Sequence, residues 1–259
     1  MVEKFPEILY KYRTITEDDR KNSENAFTKK LLADGELYFP PFDKLNDPNE
    51  ALFVYPEDTD IAVTEEELNN YSKENIKEQE SLPDGRYRLR VDGAIAGAHV
   101  LARLKQNLNW GVLCLTEVHD DLLMFDYYAG GHKGICIGFD WKSFGIFPKG
   151  SEAHQRPVKV KYSDIPPLIG NDLNDINEIF HTKWREYNHE QEWRLFYVNG
   201  IFNERINVRK AINRIIFATL TSEEDKKLVK SWVKDLPNIT FYQAKLKSGQ
   251  YSLDVIKIV

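Results

Sequence analysis

Residues Glu190 to Val198 read E-Q-E-W-R-L-F-Y-V, and this stretch narrows the choice of fold more than any other. From His189 onward, strand alternation places Glu190, Glu192 and Arg194 on one face and Gln191, Trp193, Leu195 and Tyr197 on the other. The second face is mostly apolar and belongs against a core. The first holds two carboxylates and a guanidinium, which must reach a solvated cleft or pair with one another, because an unpaired buried charge is too costly. Two readings stay open at this point. Glu192 and Arg194 are either a structural ion pair on an edge strand or part of a functional site.

The rest of the chain supplies a sheet for that strand. Ile8 to Thr14 alternates Leu9, Lys11 and Arg13 against Ile8, Tyr10 and Tyr12, which predicts a strand with one basic and one aromatic face. Asn25 to Ala33 reads as a helix with Phe27, Leu31 and Leu32 inward and Gly35 as its stop, and Leu37 to Phe39 as a short strand ending at Pro40-Pro41. Thr64 to Glu80 opens with a capping box, Thr64 with Glu67, and predicts a solvated helix within a polar helical insertion of about residues 60–92. Ala94 to Leu108 has the spacing of a core helix. Between Trp110 and Asp140 a strand at Val112–Thr116, a helix at Leu122–Ala129 capped by Asp120 or Asp121, a Gly130-Gly131 break and a strand at Gly134–Phe139 follow one another. Val158 to Tyr162 predicts a strand, and Asp175 to Trp184 a helix. Near the end, a strand at Arg214–Ala218, a helix capped by Thr221 and a strand at Ile239–Gln243 form a β-α-β unit with parallel strands; Tyr251 to Val259 is a last strand. Together these elements predict an α+β single domain, with mixed sheets forming a central cleft among helices.

At 259 residues with a net charge of −6, the chain has no surface built chiefly to grip nucleic acid, although a local basic groove remains compatible with that balance. Its two cysteines, Cys114 and Cys136, lie in apolar runs, which points to inert core thiols rather than a disulfide framework or a nucleophile. The N-terminus has no signal-peptide pattern and no run is long enough to span a bilayer, so a cytoplasmic location away from membranes is expected. His119, Asp120, Asp121, His132 and His189 lack metal-ligand spacing, and no metal site is predicted.

What remains is a set of polar residues on aromatic or apolar elements. These are Lys11, Tyr12 and Arg13; Asn46, Asp47 and Glu50 at an Asn-Asp-Pro turn; Tyr127, Tyr128 and His132; and Glu190, Glu192 and Arg194. A basic first strand and an acidic late strand are complementary. If they converge, they hold an anionic ligand and stabilise a developing cation beside it.

The blocks L-Y-K-Y-R, L-N-D-P-N-E, C-L-T-E, D-Y-Y-A-G-G-H-K-G-I-C-I-G-F-D, V-K-Y-S-D and H-E-Q-E-W-R-L occur in order, and they resemble a bacterial family of unknown function, domain-of-unknown-function family 2971. Phe125 and Ala218 stand where that family commonly has tryptophan and glycine. More remotely, the layout is similar to the ADP-ribosyltransferase fold. That resemblance implies NAD as substrate, Glu192 and Glu190 as catalytic carboxylates, Lys11 or Arg13 on the pyrophosphate, and Tyr128 against the nicotinamide. It further implies an ADP-ribosyltransferase or NAD glycohydrolase of the toxin or phage-defence effector kind, with a protein or nucleic-acid acceptor left open. A non-enzymatic binding module for a nucleotide, peptide or partner protein is the alternative.

Overall fold

The structure is a computed structural model that describes residues 5–41, 44, 45, 47, 50, 52–54, 57–98, 111–144, 156–168, 178–197 and 205–258. Its elements are β1 (Leu9–Arg13), α1 (Glu17–Lys21), α2 (Phe27–Asp34), β2 (Glu36–Tyr38), β3 (Asp58–Val63), α3 (Glu65–Leu68), β4 (Ile76–Ser81) and β5 (Tyr87–Asp92). They continue as β6 (Gly111–Thr116), α4 (Leu122–Tyr128), β7 (Ile135–Phe139), β8 (Val158–Lys159), β9 (Lys161–Ser163) and β10 (Thr182–Trp184). The chain closes with β11 (Glu192–Tyr197), β12 (Arg205–Asn207), β13 (Ile212–Phe217), α5 (Glu223–Trp232), β14 (Thr240–Leu246) and β15 (Leu253–Ile258). The class is α+β, as the sequence predicts. Contacts gather the chain into two compact units, residues 1–42, 110–159 and 188–259 in the first, and 43–109 with 160–187 in the second.

The first unit is built on a mixed sheet of order β15-β14-β13-β7-β1-β6-β11-β8. All neighbours are antiparallel except β13 and β14, which run parallel and are joined through α5, the expected β-α-β unit. Ser222, not Thr221, caps α5: its side chain accepts from the Asp225 amide, while the Thr221 hydroxyl donates to the Gly134 and Ala218 carbonyls. Glu223, Glu224 and Asp225 fill the first turn, where the helix dipole favours anions.

One face of the sheet packs Leu9, Leu113, Leu115, Ile137, Trp193, Leu195 and Ile215 against Leu31, Leu32, Val229 and Trp232. Phe27, expected on the inner side of α2, is half exposed (50%). The other face packs Tyr10, Tyr12, Cys136 and Ile216 against Met124, Phe125 and Ala129 of α4 and the turn after it. The sheet is therefore covered on both sides near its middle. A charge in that region needs a specific partner.

The second unit corrects two helix expectations. The capping box forms as predicted, with the Glu67 amide donating to Thr64 and the Glu67 carboxylate accepting from the Thr64 amide, but the α-helix ends at Leu68. A polar all-round segment has no apolar stripe to dock, so nothing extends it. Ile76–Ser81 instead forms an edge strand of the β3-β5-β4 sheet, where Glu78 and Glu80 lie opposite Arg90 and Arg88. The other face of that sheet buries Ile61, Val63, Leu89 and Val91. Residues 178–181 are helical, but Thr182–Trp184 pairs in parallel with β9. Residues 93–98 begin the helix expected at Ala94–Leu108, and its remainder lies outside the described residues.

Candidate functional site

The alternation of β1 sets two faces. Tyr10 and Tyr12 point to the α4 side, while Lys11 and Arg13 pair with Ile137 and Ile135 on the opposite side. β1 is paired with β7 along its whole length, but it meets β6 only at Tyr10 and Thr116. Toward its other end β6 takes a different partner, with Pro41 bridging Gly111 and the Val112 amide donating to the Pro40 carbonyl at 2.9 Å. The sheet therefore forks between β1 and β6. In the gap, the Lys11 ammonium donates to the Cys114 carbonyl at 3.1 Å and stands in for a missing ladder partner.

Burial and, after it, neighbouring Arg13 push the Lys11 pKa down to about 8 against the opposing pull of Cys114 and Glu192. Arg13 is lowered chiefly by burial, against the pull of Asp19, and its Nε is buried without a hydrogen-bond partner. Asp19 does not bond Arg13, because its oxygens accept from the Thr16, Thr28 and Lys29 amides at 2.9, 2.9 and 3.0 Å. Lys11 and Arg13 form no ion pair among the described residues.

The carboxylates are placed differently from the sequence expectation. Arg185–Glu190 is a 3₁₀ helix, Gln191 turns the chain with φ 41°, and the strand begins only at Glu192. Glu190 is thus not on the strand. It still reaches the same neighbourhood, since its carbonyl accepts from the Thr116 hydroxyl and its Oε1 accepts from Tyr128 Oη at 2.6 Å. Glu192 and Arg194 share the face that carries Thr116 and Cys114. Arg194 Nε and Nη2 donate to the two oxygens of Glu192 at 2.8 and 3.1 Å. Both residues are buried, at 3% and 0% exposure. This is the ion pair of the first reading, but β11 lies inside the sheet, between β6 and β8. Trp193 and Leu195 face the core as predicted; Gln191 is on neither strand face, and the Tyr197 side chain lies outside the described residues.

Asp121 caps α4, accepting from the Met124 amide at 2.8 Å, which brings Phe125 edge-on to Tyr12 at 4.8 Å and Tyr128 to Glu190. The Tyr12 hydroxyl donates to the Val118 carbonyl at 3.2 Å. The chain leaves α4 through three consecutive left-handed residues, Gly130, Gly131 and His132, at φ 62, 64 and 63°. Only His132 among them bears the steric cost of a side chain there. His132 stacks on Phe125 at 6.2 Å, its Nδ1 is buried without a partner, and its carbonyl accepts from the Leu220 amide.

The structure thus gathers Tyr12, Tyr128, Glu190, Glu192 and Arg194 on one side of the sheet. Lys11 reaches them from the fork, and Arg13 faces the other side. His132 belongs to the turn after α4. Asp47 and Glu50 are in the second unit, where the Glu50 amide donates to the Asp47 carbonyl in the expected turn; Asn46 lies outside the described residues.

The sequence reasoning missed Thr116 and Glu117. The Glu117 carboxylate accepts from Lys159 at 2.8 Å and from Trp193 Nε1 at 3.1 Å. A Thr-Glu pair ending a buried strand was the available signal. Burial pushes both thiols up, with Glu192 adding to the effect at Cys114, which fits inert cysteines. Among the described residues no group of three His, Cys, Asp or Glu is placed to hold a metal, and no helix is long and apolar enough to cross a membrane. One hollow of about 620 Å³ in the first unit is lined by residues such as Arg20, Lys133, Ser222 and Asp225, and none of the polar cluster lines it.

Residues 124–195 match a family model described as protein of unknown function (DUF2971). The matched span runs from α4 to the middle of β11, so it contains Tyr128, Glu190, Glu192 and Arg194 but not Lys11 or Arg13. No curated protein and no solved structure matches the chain.

Proposed function

We propose that the fork between β1 and β6 binds an anionic nucleotide-type ligand and that NAD is its substrate. One observation carries this reading: Lys11 and Arg13, like-charged neighbours on one strand face, are partly buried with no carboxylate paired to either among the described residues. Such an arrangement is costly in the free protein and becomes favourable when a phosphate enters. Glu192, oriented by its two bonds from Arg194, and Glu190, held by Tyr128, place carboxylates beside the fork. Loss of nicotinamide from NAD leaves an oxocarbenium-like ribose, which a carboxylate stabilises. The product is then ADP-ribose, free or joined to a protein or nucleic-acid acceptor. An enzyme of this kind used as a toxin or phage-defence effector would slow the growth of cells expressing it.

A second reading, a nucleotide-binding module without chemistry, is favoured by the closed Glu192–Arg194 pair, in which both carboxylate oxygens are already engaged. Thermal protection by NAD, together with nicotinamide release, separates the two. The enzymatic reading expects both in the native protein and expects Lys11→Gln to weaken protection. Protection without release supports the module, and no protection at millimolar NAD sinks both.

A further inference from the structure

Gly138 on β7 lies opposite Tyr10 on β1 and Arg214 on β13, so the three form one cross-strand row on the α4 side of the sheet. A Cβ at Gly138 would lie 2.9 Å from Tyr10 Cε1 and 3.0 Å from Arg214 Cβ. The glycine therefore lets the ring and the guanidinium stem settle over the bare backbone. Arg214 Nη1 donates to the Tyr10 hydroxyl at 3.1 Å, and the His119 imidazole stacks on the Tyr10 ring at 5.0 Å and 17°. On the neighbouring row of the same face, Tyr242 lies opposite Lys257 on β15.

Arg214 has five N–H donors, and the bond to Tyr10 uses one. It is half-buried and makes no ion pair among the described residues. A guanidinium held by a phenol rather than a carboxylate keeps its charge available, and planar donors of this kind match phosphate in two-point contact. Tyr242, the next residue after the Thr240 position on the same face of β14, and His119, stacked on Tyr10, are half-buried rings, and Lys257 adds an exposed cation on the outer strand. His119 is kept neutral by burial, against the pull of Asp120 and with Arg214 adding to the effect. A neutral ring stacks on a base without adding charge.

We infer that Arg214, His119 and Tyr242 form a second ligand site, distinct from the fork, for a nucleoside monophosphate, with Arg214 on the phosphate and the rings against the base. Three strands, β7, β1 and β6, separate Arg214 on β13 from Glu192 on β11, so the two sites can be tested separately. The inference does not need the NAD reading to hold.

The test is titration of the whole chain with AMP by calorimetry, with adenosine and inorganic phosphate as separate probes. AMP is expected to bind more tightly than either fragment. Arg214→Gln should weaken AMP at least about tenfold and abolish the phosphate binding that remains in Lys11→Gln, whereas Tyr242→Leu should weaken AMP and adenosine but leave phosphate unchanged. Arg214→Lys guards against a folding defect: it keeps the charge and loses the fork, so it should bind AMP between the two. The titrations are repeated in Lys11→Gln, which disables the fork; the AMP binding that depends on Arg214 should persist there, which separates this site from the fork. If AMP fails to bind, or binds equally well to Arg214→Gln with the fold intact, Arg214 is only a brace for Tyr10 and the site is refuted.

Discussion

On β11, Glu192 and Arg194 bury their charges against each other, while on β1, with only β6 between, Lys11 and Arg13 stand side by side with no carboxylate paired to either among the described residues. Both stretches are charged strands in the same sheet. In the first, two hydrogen bonds join a carboxylate to a guanidinium, so each charge has an opposite partner. The second is incomplete: one ammonium is satisfied by a backbone carbonyl, and one guanidinium nitrogen by nothing. Completed pairs hold a fold in register. Uncompleted like charges destabilise a fold, and that cost is the basis of the anion site proposed above.

The sharpest way to break this contrast is to remove one member from each stretch. Arg194→Met leaves the Glu192 carboxylate buried alone and should cost about 3–5 kcal/mol, read as a fall in denaturation midpoint. Lys11→Met should do the opposite and raise stability by about 1 kcal/mol, since it removes a desolvated cation at the expense of one hydrogen bond. Equal losses in the two variants would mean that both stretches are structural.

The pH dependence sharpens the same point. Lys11 titrates near 8 in the folded chain, against about 10.5 unfolded. Below about pH 8 both states hold the proton and the burial penalty is fully present. Between about 8 and 10.5 the unfolded state holds more protons, so stability should rise with pH in that window. Chemical denaturation across the window should show this rise in the native protein and its absence in Lys11→Met.

Smaller effects follow outside the two stretches. Gln191→Gly relieves a left-handed backbone but loses the Nε2 bonds to Asn188 at 2.6 and 3.1 Å, so a net stabilisation of about 0.5 kcal/mol is expected from thermal melting. In the second unit the exposed Arg88–Glu80 pair at 2.9 Å is also complete, but in water; Glu80→Ala should cost no more than about 0.5 kcal/mol, and less at high salt. A loss comparable to that of Arg194→Met would show that pairing, not burial, sets the cost.

Some of this was legible in the chain. The two faces of β1, the Asp121 cap of α4 and the parallel β13-α5-β14 unit follow from alternation, capping chemistry and helical spacing, which act over a few residues. The segment after Thr64 was not, because a capping box states where a helix starts but not whether an apolar face exists to extend it. Glu190 was misplaced for a related reason. Side-chain types alternate as in a strand, yet Gln191 takes a left-handed turn that Asn188 supports.

By itself the sequence determined that β1 would carry cations on one face and that β11 would carry a carboxylate and a guanidinium on one face, because period-two alternation is a local property of the backbone. Only the tertiary structure decided which of these charges meet. Pairing depends on strand order, on the single Tyr10–Thr116 register that lets β1 and β6 part, and on the burial that turns a nearby charge into a strong one.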